Sequence, residues 1–86
     1  MSESGKKEQL KALQAALAAE HAAVYGYGVV GGRISQEQRS QARAAYDAHR
    51  VRRDALARKV RDLGAQPVAA SPAYALPFPV SDSPAA

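Results

Sequence analysis

The sequence predicts an all-α fold: an antiparallel helical hairpin that forms half of a four-helix bundle, followed by an extended Pro-rich C-terminal segment. Two long stretches carry apolar residues at intervals of three and four, which is the spacing of an amphipathic helix. A Gly-Gly pair separates the two stretches, and the composition changes to Pro, Ala and Ser near the end. These observations divide the chain into a hairpin over 1–66 and a Pro-rich tail or crossover segment over 67–86.

The first helix is predicted over about residues 4–30. Ser4 is placed at its start, and the Ala- and Leu-rich sequence that follows has high helix propensity. Its larger apolar side chains share one face: Leu10, Leu13, Leu17, Val24 and Tyr27. Glycine accepts the left-handed backbone that ends many helices, so Gly31-Gly32 predicts a turn over 31–35.

The second helix is predicted over about residues 36–63. Ser35 and Gln38 have the spacing of a capping box, in which two side chains bond the free backbone N–H groups of a helix start. Gly64 is placed as the C-cap, with Pro67 shortly after it. Because the link between the helices is short, the sequence predicts that they pack antiparallel.

Two helices do not cover each other's apolar surface. The first helix is apolar around most of its circumference, which is typical of a buried helix. The second carries an additional stripe of small residues opposite its main face: Ala44, Ala48, Val51 and Ala55. We therefore expect a four-helix assembly, completed by dimerisation or by a complementary half. The tail residues Tyr74, Leu76, Phe78 and Val80 are expected either to be disordered or to lie extended along the helices.

Composition excludes several classes of function. The chain of 86 residues has no cysteine, so disulfides and thiolate metal sites are ruled out. No signal peptide and no bilayer-spanning segment is recognisable, and a cytoplasmic location is expected. The Gly26-x-Gly28-x-x-Gly31 pattern follows a helix rather than a strand, so it is not a dinucleotide fingerprint. No nucleophile–base pair or phosphate loop is present, which argues against an enzyme.

The second helix is rich in arginine and contributes much of the net charge of +4. Such an excess is also found in proteins that bind RNA or another polyanion. The favoured interpretation is a solvated face that neutralises itself, because acidic and basic residues alternate at helical spacing: Asp47, Arg50, Asp54, Arg58 and Asp62.

Ionisable residues interrupt the apolar faces of both helices. Glu20 lies in the apolar face of the first helix, and Tyr46, His49 and Arg53 lie in that of the second. In an antiparallel hairpin that turns near residues 33–34, Glu20 faces the turn from His49 to Arg53. Because buried charges need partners, we expect a polar core in which Glu20 pairs with Arg53 and His49 is hydrogen-bonded alongside.

A metal site is the alternative interpretation of the same residues. Di-iron bundle proteins use Glu on one helix and Glu-x-x-His on the next. Here Tyr46 stands where the second carboxylate would be, so iron or another divalent metal would have to be held by Glu20, His49 and His21 of two chains. His21 shares its helix face with polar residues, and we expect it at the solvent rather than at a metal.

Three segments resemble a known family: residues 18–28, residues 45–54 and residues 67–79 with their Tyr-Ala-Leu-Pro-Phe core. They resemble an actinobacterial family of ferritin-like proteins with no assigned function (DUF4439), over roughly residues 8–80. The resemblance implies a ferritin-like four-helix bundle, of which this chain corresponds to the first half. The chain would then be a fragment, one half of a split protein, or a hairpin that forms a homo-oligomer.

The resemblance also implies that the Pro-rich segment is the long crossover between helices, and that the polar core consists of Glu20, Tyr46, His49 and Arg53. It does not imply that iron binds. The expected function is a ferritin-like helical assembly or interaction module. Metal binding and, more weakly, polyanion binding are the alternatives.

Overall fold

The computed structural model describes residues 2–30 and 35–71 of the chain. Helix α1 spans Glu3–Val30 and helix α2 spans Gln36–Asp62. They pack against each other as a hairpin, and the described residues contain no strand. The Cα framework measures 53 × 29 × 14 Å. The predicted all-α hairpin is confirmed; the Gly31-Gly32 turn and the tail beyond residue 71 lie outside the described residues.

Helix α1 begins earlier than the sequence predicted. Ser2, rather than Ser4, caps it: the backbone N–H of Gly5 donates to Ser2 Oγ (2.9 Å), and that of Lys6 donates to Ser2 O (2.9 Å). Ser4 lies within the first turn. Both serines precede residues of high helix propensity, so propensity alone does not decide which of them is the N-cap.

Helix α2 begins as predicted. The backbone N–H of Gln38 donates to Ser35 Oγ (3.2 Å), and that of Ser35 donates to Gln38 Oε1 (3.3 Å). This reciprocal pair is the expected capping box. It fixes the point at which the chain enters α2, and so the register of α2 against α1.

Helix α2 ends in a Schellman motif, which reverses the chain. The N–H of Gly64 donates to Arg61 O (2.8 Å) and that of Ala65 donates to Val60 O (3.1 Å). Leu63 is the C-cap, and Gly64 has a φ of 84°. Since only glycine adopts that conformation without steric cost, the predicted helix end is correct to one residue, with Gly64 one position beyond the cap.

The inner surface of α1 consists of three rows of side chains, each repeating every seven residues, or nearly two helical turns. The central row is Leu10, Leu17 and Val24. The open row on one flank is Leu13, Glu20 and Tyr27, and the tail row on the other flank contains Gln14 and His21. In the central row Leu17 is completely buried. It shares this state with Val60 of α2 and with no other hydrophobic side chain of the described residues.

The tail row holds the chain that follows α2. Gln14 Nε2 donates to Gln66 O (2.8 Å), and the N–H of Val68 donates to Gln14 Oε1 (2.8 Å). His21 Nε2 donates to Val68 O (3.0 Å). His21, expected at the solvent, is partly exposed and is also bonded to the returning chain. Residues 66–68 thus run along α1 in the direction of α1 itself.

We expect Gln14→Ala to loosen this segment, because it removes two of the three hydrogen bonds. Each is worth about 1 kcal/mol, so amide exchange at Val68 should accelerate by roughly tenfold or more. Hydrogen exchange followed by NMR measures this directly. Gln9→Ala, an exposed glutamine on the same helix, is the matched control. Unchanged exchange at Val68 in Gln14→Ala would show that these bonds do not hold the tail.

Candidate functional site at the open flank

The open row of α1 is matched by a row on α2, formed by His49, Leu56 and Leu63. Ala45, one turn before His49, continues this second row. The two rows together with Ala45 form a surface that we call the open face. Each of its members is half-buried: it contacts the neighbouring helix and keeps part of its surface in solvent. Residues 66–68 cover the other flank of α1, whereas no described residue covers the open face.

Glu20 and His49 meet at the middle of the open face. His49 Nδ1 donates to Glu20 Oε1 at 2.5 Å. The ring of Tyr27 stacks on the imidazole, with centroids 5.5 Å apart and an interplanar angle of 21°. The imidazole is therefore oriented by a carboxylate on one side and an aromatic ring on another. This contact confirms the predicted register, in which Glu20 faces the turn of α2 that begins at His49.

The polar cluster is not buried, contrary to the sequence-based expectation. The side chains of Glu20 and His49 are 17% and 24% exposed, and no polar or charged residue among those described is fully buried. The reason is positional. Glu20 follows Leu17 by three residues, which turns its side chain about 60° away from the centre of the interface. It therefore lies at the edge of the hairpin, where water reaches it.

The arginine beside Glu20 is Arg52, not Arg53. Arg52 Nε lies 3.6 Å from Glu20 Oε2 and its side chain is 57% exposed. Arg53, expected to pair with Glu20, instead donates from Nε to Asp54 Oδ1 at 3.0 Å. Both arginines lie about one turn after His49, and only Arg52 projects to the flank that carries Glu20. The sequence offered no signal for this choice beyond the heptad position of Glu20.

Tyr46, the remaining residue of the predicted polar core, lies away from Glu20. The guanidinium of Arg50 sits 5.5 Å above the centre of its ring. The ring reaches α1 at Gly28, where an added Cβ would lie 3.7 Å from Tyr46 Cε1. The structure thus brings together Glu20 and His49 of the predicted set, and places Tyr46 and Arg53 elsewhere.

The self-neutralising face predicted for α2 does not form. Asp47, Asp54 and Asp62 were expected to pair with the arginines around them, yet in the described part of the chain the single aspartate contact is that of Asp54 with Arg53. Arg50 instead contacts the aromatic ring of Tyr46. The positive charge of α2 is therefore less compensated than its sequence suggests.

The predicted metal ligands are not gathered at one point. No group of three His, Cys, Asp or Glu side chains that could hold a metal ion occurs within residues 2–30 and 35–71. Glu20 and His49 bond each other, whereas His21 bonds the carbonyl of Val68 on the opposite flank.

The outer surfaces of the hairpin remain exposed. Val51 is 67% exposed on the far side of α2, beside the exposed Ala44 and Ala48. In the described segments, neither helix is long and apolar enough to cross a bilayer. Ala44, Ala48 and Val51 of the small-residue stripe on α2 are therefore not covered by any described residue.

Comparison with known proteins identifies a family but no role. A family model described as a domain of unknown function (DUF4439) matches residues 12–86. No curated protein shows significant similarity to the chain, and no solved structure does so either. The matched range contains most of α1, all of α2 and the open face between them. The chain therefore belongs to the DUF4439 family.

Proposed function

We propose that this chain is a helical assembly module: the open face of one hairpin packs against the open face of a second copy and completes a ferritin-like four-helix bundle. The observation that carries the proposal is the Glu20–His49 hydrogen bond, which stands half-buried in an otherwise apolar face. An ion pair on an ordinary surface contributes little. The same pair inside an assembly fixes the register of an Ala-rich interface.

The size of the core supports association. Leu17 and Val60 are the fully buried hydrophobic side chains of the described residues, and burial of one such side chain contributes about 1.5–3 kcal/mol. A core as small as that of a two-helix hairpin supplies little stability by itself, and association is one way to add to it. Leu13, Leu56 and Leu63 on the open face are half-buried. A second layer of helices would bury the remainder of each leucine.

The directions of the helices and the charges of Glu20 and Arg52 both favour a second copy as the partner. A two-fold axis parallel to the helices would place α1 of each copy opposite α2 of the other. Every neighbouring pair of helices would then be antiparallel. The same axis would bring Glu20 of one copy toward Arg52 of the other, whose guanidinium is exposed and only loosely placed beside its own Glu20.

We expect Ala45→Glu to dissociate the dimer, because it introduces a charge into the open face without removing a core side chain. Ala48→Glu is the matched control, since Ala48 lies on the exposed far side of the same helix. Light scattering after size exclusion should report a monomer for Ala45→Glu and a dimer for Ala48→Glu. The proposal fails if both variants keep the mass of the unmodified protein while remaining helical by circular dichroism.

A metal-binding form of this assembly is the second candidate, favoured by the juxtaposition of Glu20 and His49. Two copies would supply a pair of carboxylates and a pair of imidazoles, with the Arg52 guanidinium groups close by. Positive charge at that position opposes iron or any other divalent cation. Elemental analysis of protein purified without chelators separates the candidates: a stoichiometric metal supports this form, and trace amounts contradict it.

A further inference from the structure

An open groove lies between the C-terminal part of α1 and the first turns of α2, beside Tyr27 of the open row. Its volume is about 580 Å³, within the range of small-molecule binding sites. Among the described residues, two of α1 and six of α2 line it: Tyr27, Gly28, Gln36, Arg39, Ser40, Ala42, Arg43 and Tyr46. The sequence analysis gives this groove no role, and of the open face only Tyr27 lines it.

The aromatic walls of the groove are held in place from behind. The ring of Tyr27 stacks on His49, and the ring of Tyr46 is held by the guanidinium of Arg50 at 5.5 Å. The Tyr46 ring also packs against α1 at Gly28, where an added Cβ would lie at the ordinary van der Waals distance of 3.7 Å from Tyr46 Cε1. Side chains that are fixed before a ligand arrives lose little conformational entropy on binding.

The charge of the groove is positive. Arg39 and Arg43 are one turn apart on the same side of α2, and none of the described residues that line the groove is acidic. Arg43 forms no ion pair with another described residue. Because Arg39 and Arg43 line the groove and no acidic residue is among its described lining residues, the groove attracts anions. Ser40 and Gln36 add hydrogen-bonding groups at the rim.

We propose that this groove binds a small aromatic anion, that is, a planar ring bearing a carboxylate or a phosphate. The tyrosine rings offer faces and edges for a second ring. A guanidinium binds carboxylate and phosphate oxygens in a two-pronged geometry. An anion without a ring could bind to arginines anywhere along α2. In this groove tyrosine rings and guanidinium groups lie together, which favours an anion that carries an aromatic ring. The groove shares Tyr27 with the open face, but neither Glu20 nor Arg52 lines it, so the inference does not rest on the contacts of Glu20.

The test is an NMR titration of the full ¹⁵N-labelled chain with four probes. 2-Naphthoate and phenyl phosphate represent the carboxylate and the phosphate forms of the ligand. Inorganic phosphate supplies charge without a ring, and 2-naphthalenemethanol supplies a ring without charge. We expect saturable shifts of the Arg43 and Tyr46 amides with at least one aromatic anion, and binding of both control probes weaker by about tenfold or more. The tighter of the two anions identifies the head group.

Two variants localise the binding. Arg43→Gln removes an exposed guanidinium from the groove, and Arg58→Gln removes one from the same helix outside it. We expect Arg43→Gln to weaken the aromatic anion by about tenfold and Arg58→Gln to leave it within about twofold. Tyr46→Leu, checked for helicity, should weaken binding as well. The proposal is overturned if inorganic phosphate binds as tightly as the aromatic anions, if both arginine variants weaken binding equally, or if no probe saturates.

Discussion

Replacing Leu17 with alanine is expected to leave most of the protein unfolded at room temperature. Leu17 is completely buried in the hairpin, with 0% of its surface accessible to solvent, and it lies at the middle of the central row. Removing a buried leucine side chain costs about 2–5 kcal/mol. A small domain has a free energy of unfolding of the same order. Urea denaturation followed by far-UV circular dichroism, at one fixed protein concentration, measures the loss.

Val51→Ala is the matched control for this experiment. Val51 is 67% exposed on the far side of α2, and substitutions at such positions change stability by about 0.5 kcal/mol or less. A large loss of stability in Val51→Ala would mean that a partner covers the outer face instead of the open face. A Leu17→Ala variant as stable as the unmodified protein would contradict the packing described for the central row.

The second large effect is expected at the Glu20–His49 pair. His49→Leu leaves a carboxylate that is 17% exposed without its main hydrogen-bond donor. We expect a loss of about 1–2 kcal/mol from this single substitution. Glu20→Leu should keep the protein folded, because leucine continues the apolar open face. In the double variant Glu20→Leu with His49→Leu, part of the loss should be recovered, since no unpartnered carboxylate remains.

A double-mutant cycle from urea denaturation isolates this interaction. The expected coupling between Glu20 and His49 is favourable by about 1 kcal/mol or more, as for charge-assisted hydrogen bonds that are shielded from water. Arg53→Ala, whose side chain pairs with Asp54 and not with Glu20, should show no coupling to Glu20→Leu. A Glu20–His49 coupling near zero would identify the pair as a solvated surface contact.

Local signals in the sequence determine much of the hairpin. The Ser35–Gln38 capping box and the positive φ of Gly64 bracket α2, and both depend on residue chemistry within a few positions. The antiparallel register then follows from the short link, so the contact between Glu20 and His49 could be predicted. The start of α1 could not, since Ser2 and Ser4 are both adequate caps.

Side-chain partners at the edges of the hairpin were less predictable. Helical periodicity placed Glu20 among apolar residues, but whether it lies at the centre or at the edge depends on the crossing of the two helices. That crossing decides between Arg52 and Arg53. The contacts of Gln14 and His21 with residues 66–68 depend on the return of the chain after Gly64. The one sequence signal for these contacts was that Gln14 and His21 are seven residues apart and therefore share a helix face beside the central row.

The proposed assembly depends on one property of the open face, namely that a second copy covers it in solution. Sedimentation equilibrium of the unmodified full chain over a range of concentrations tests this most directly. The weight-average mass should rise to twice the chain mass of 9.1 kDa, and Ala45→Glu should remain at the chain mass. A mass of 9.1 kDa at every concentration, with the helices intact, would contradict the assembly.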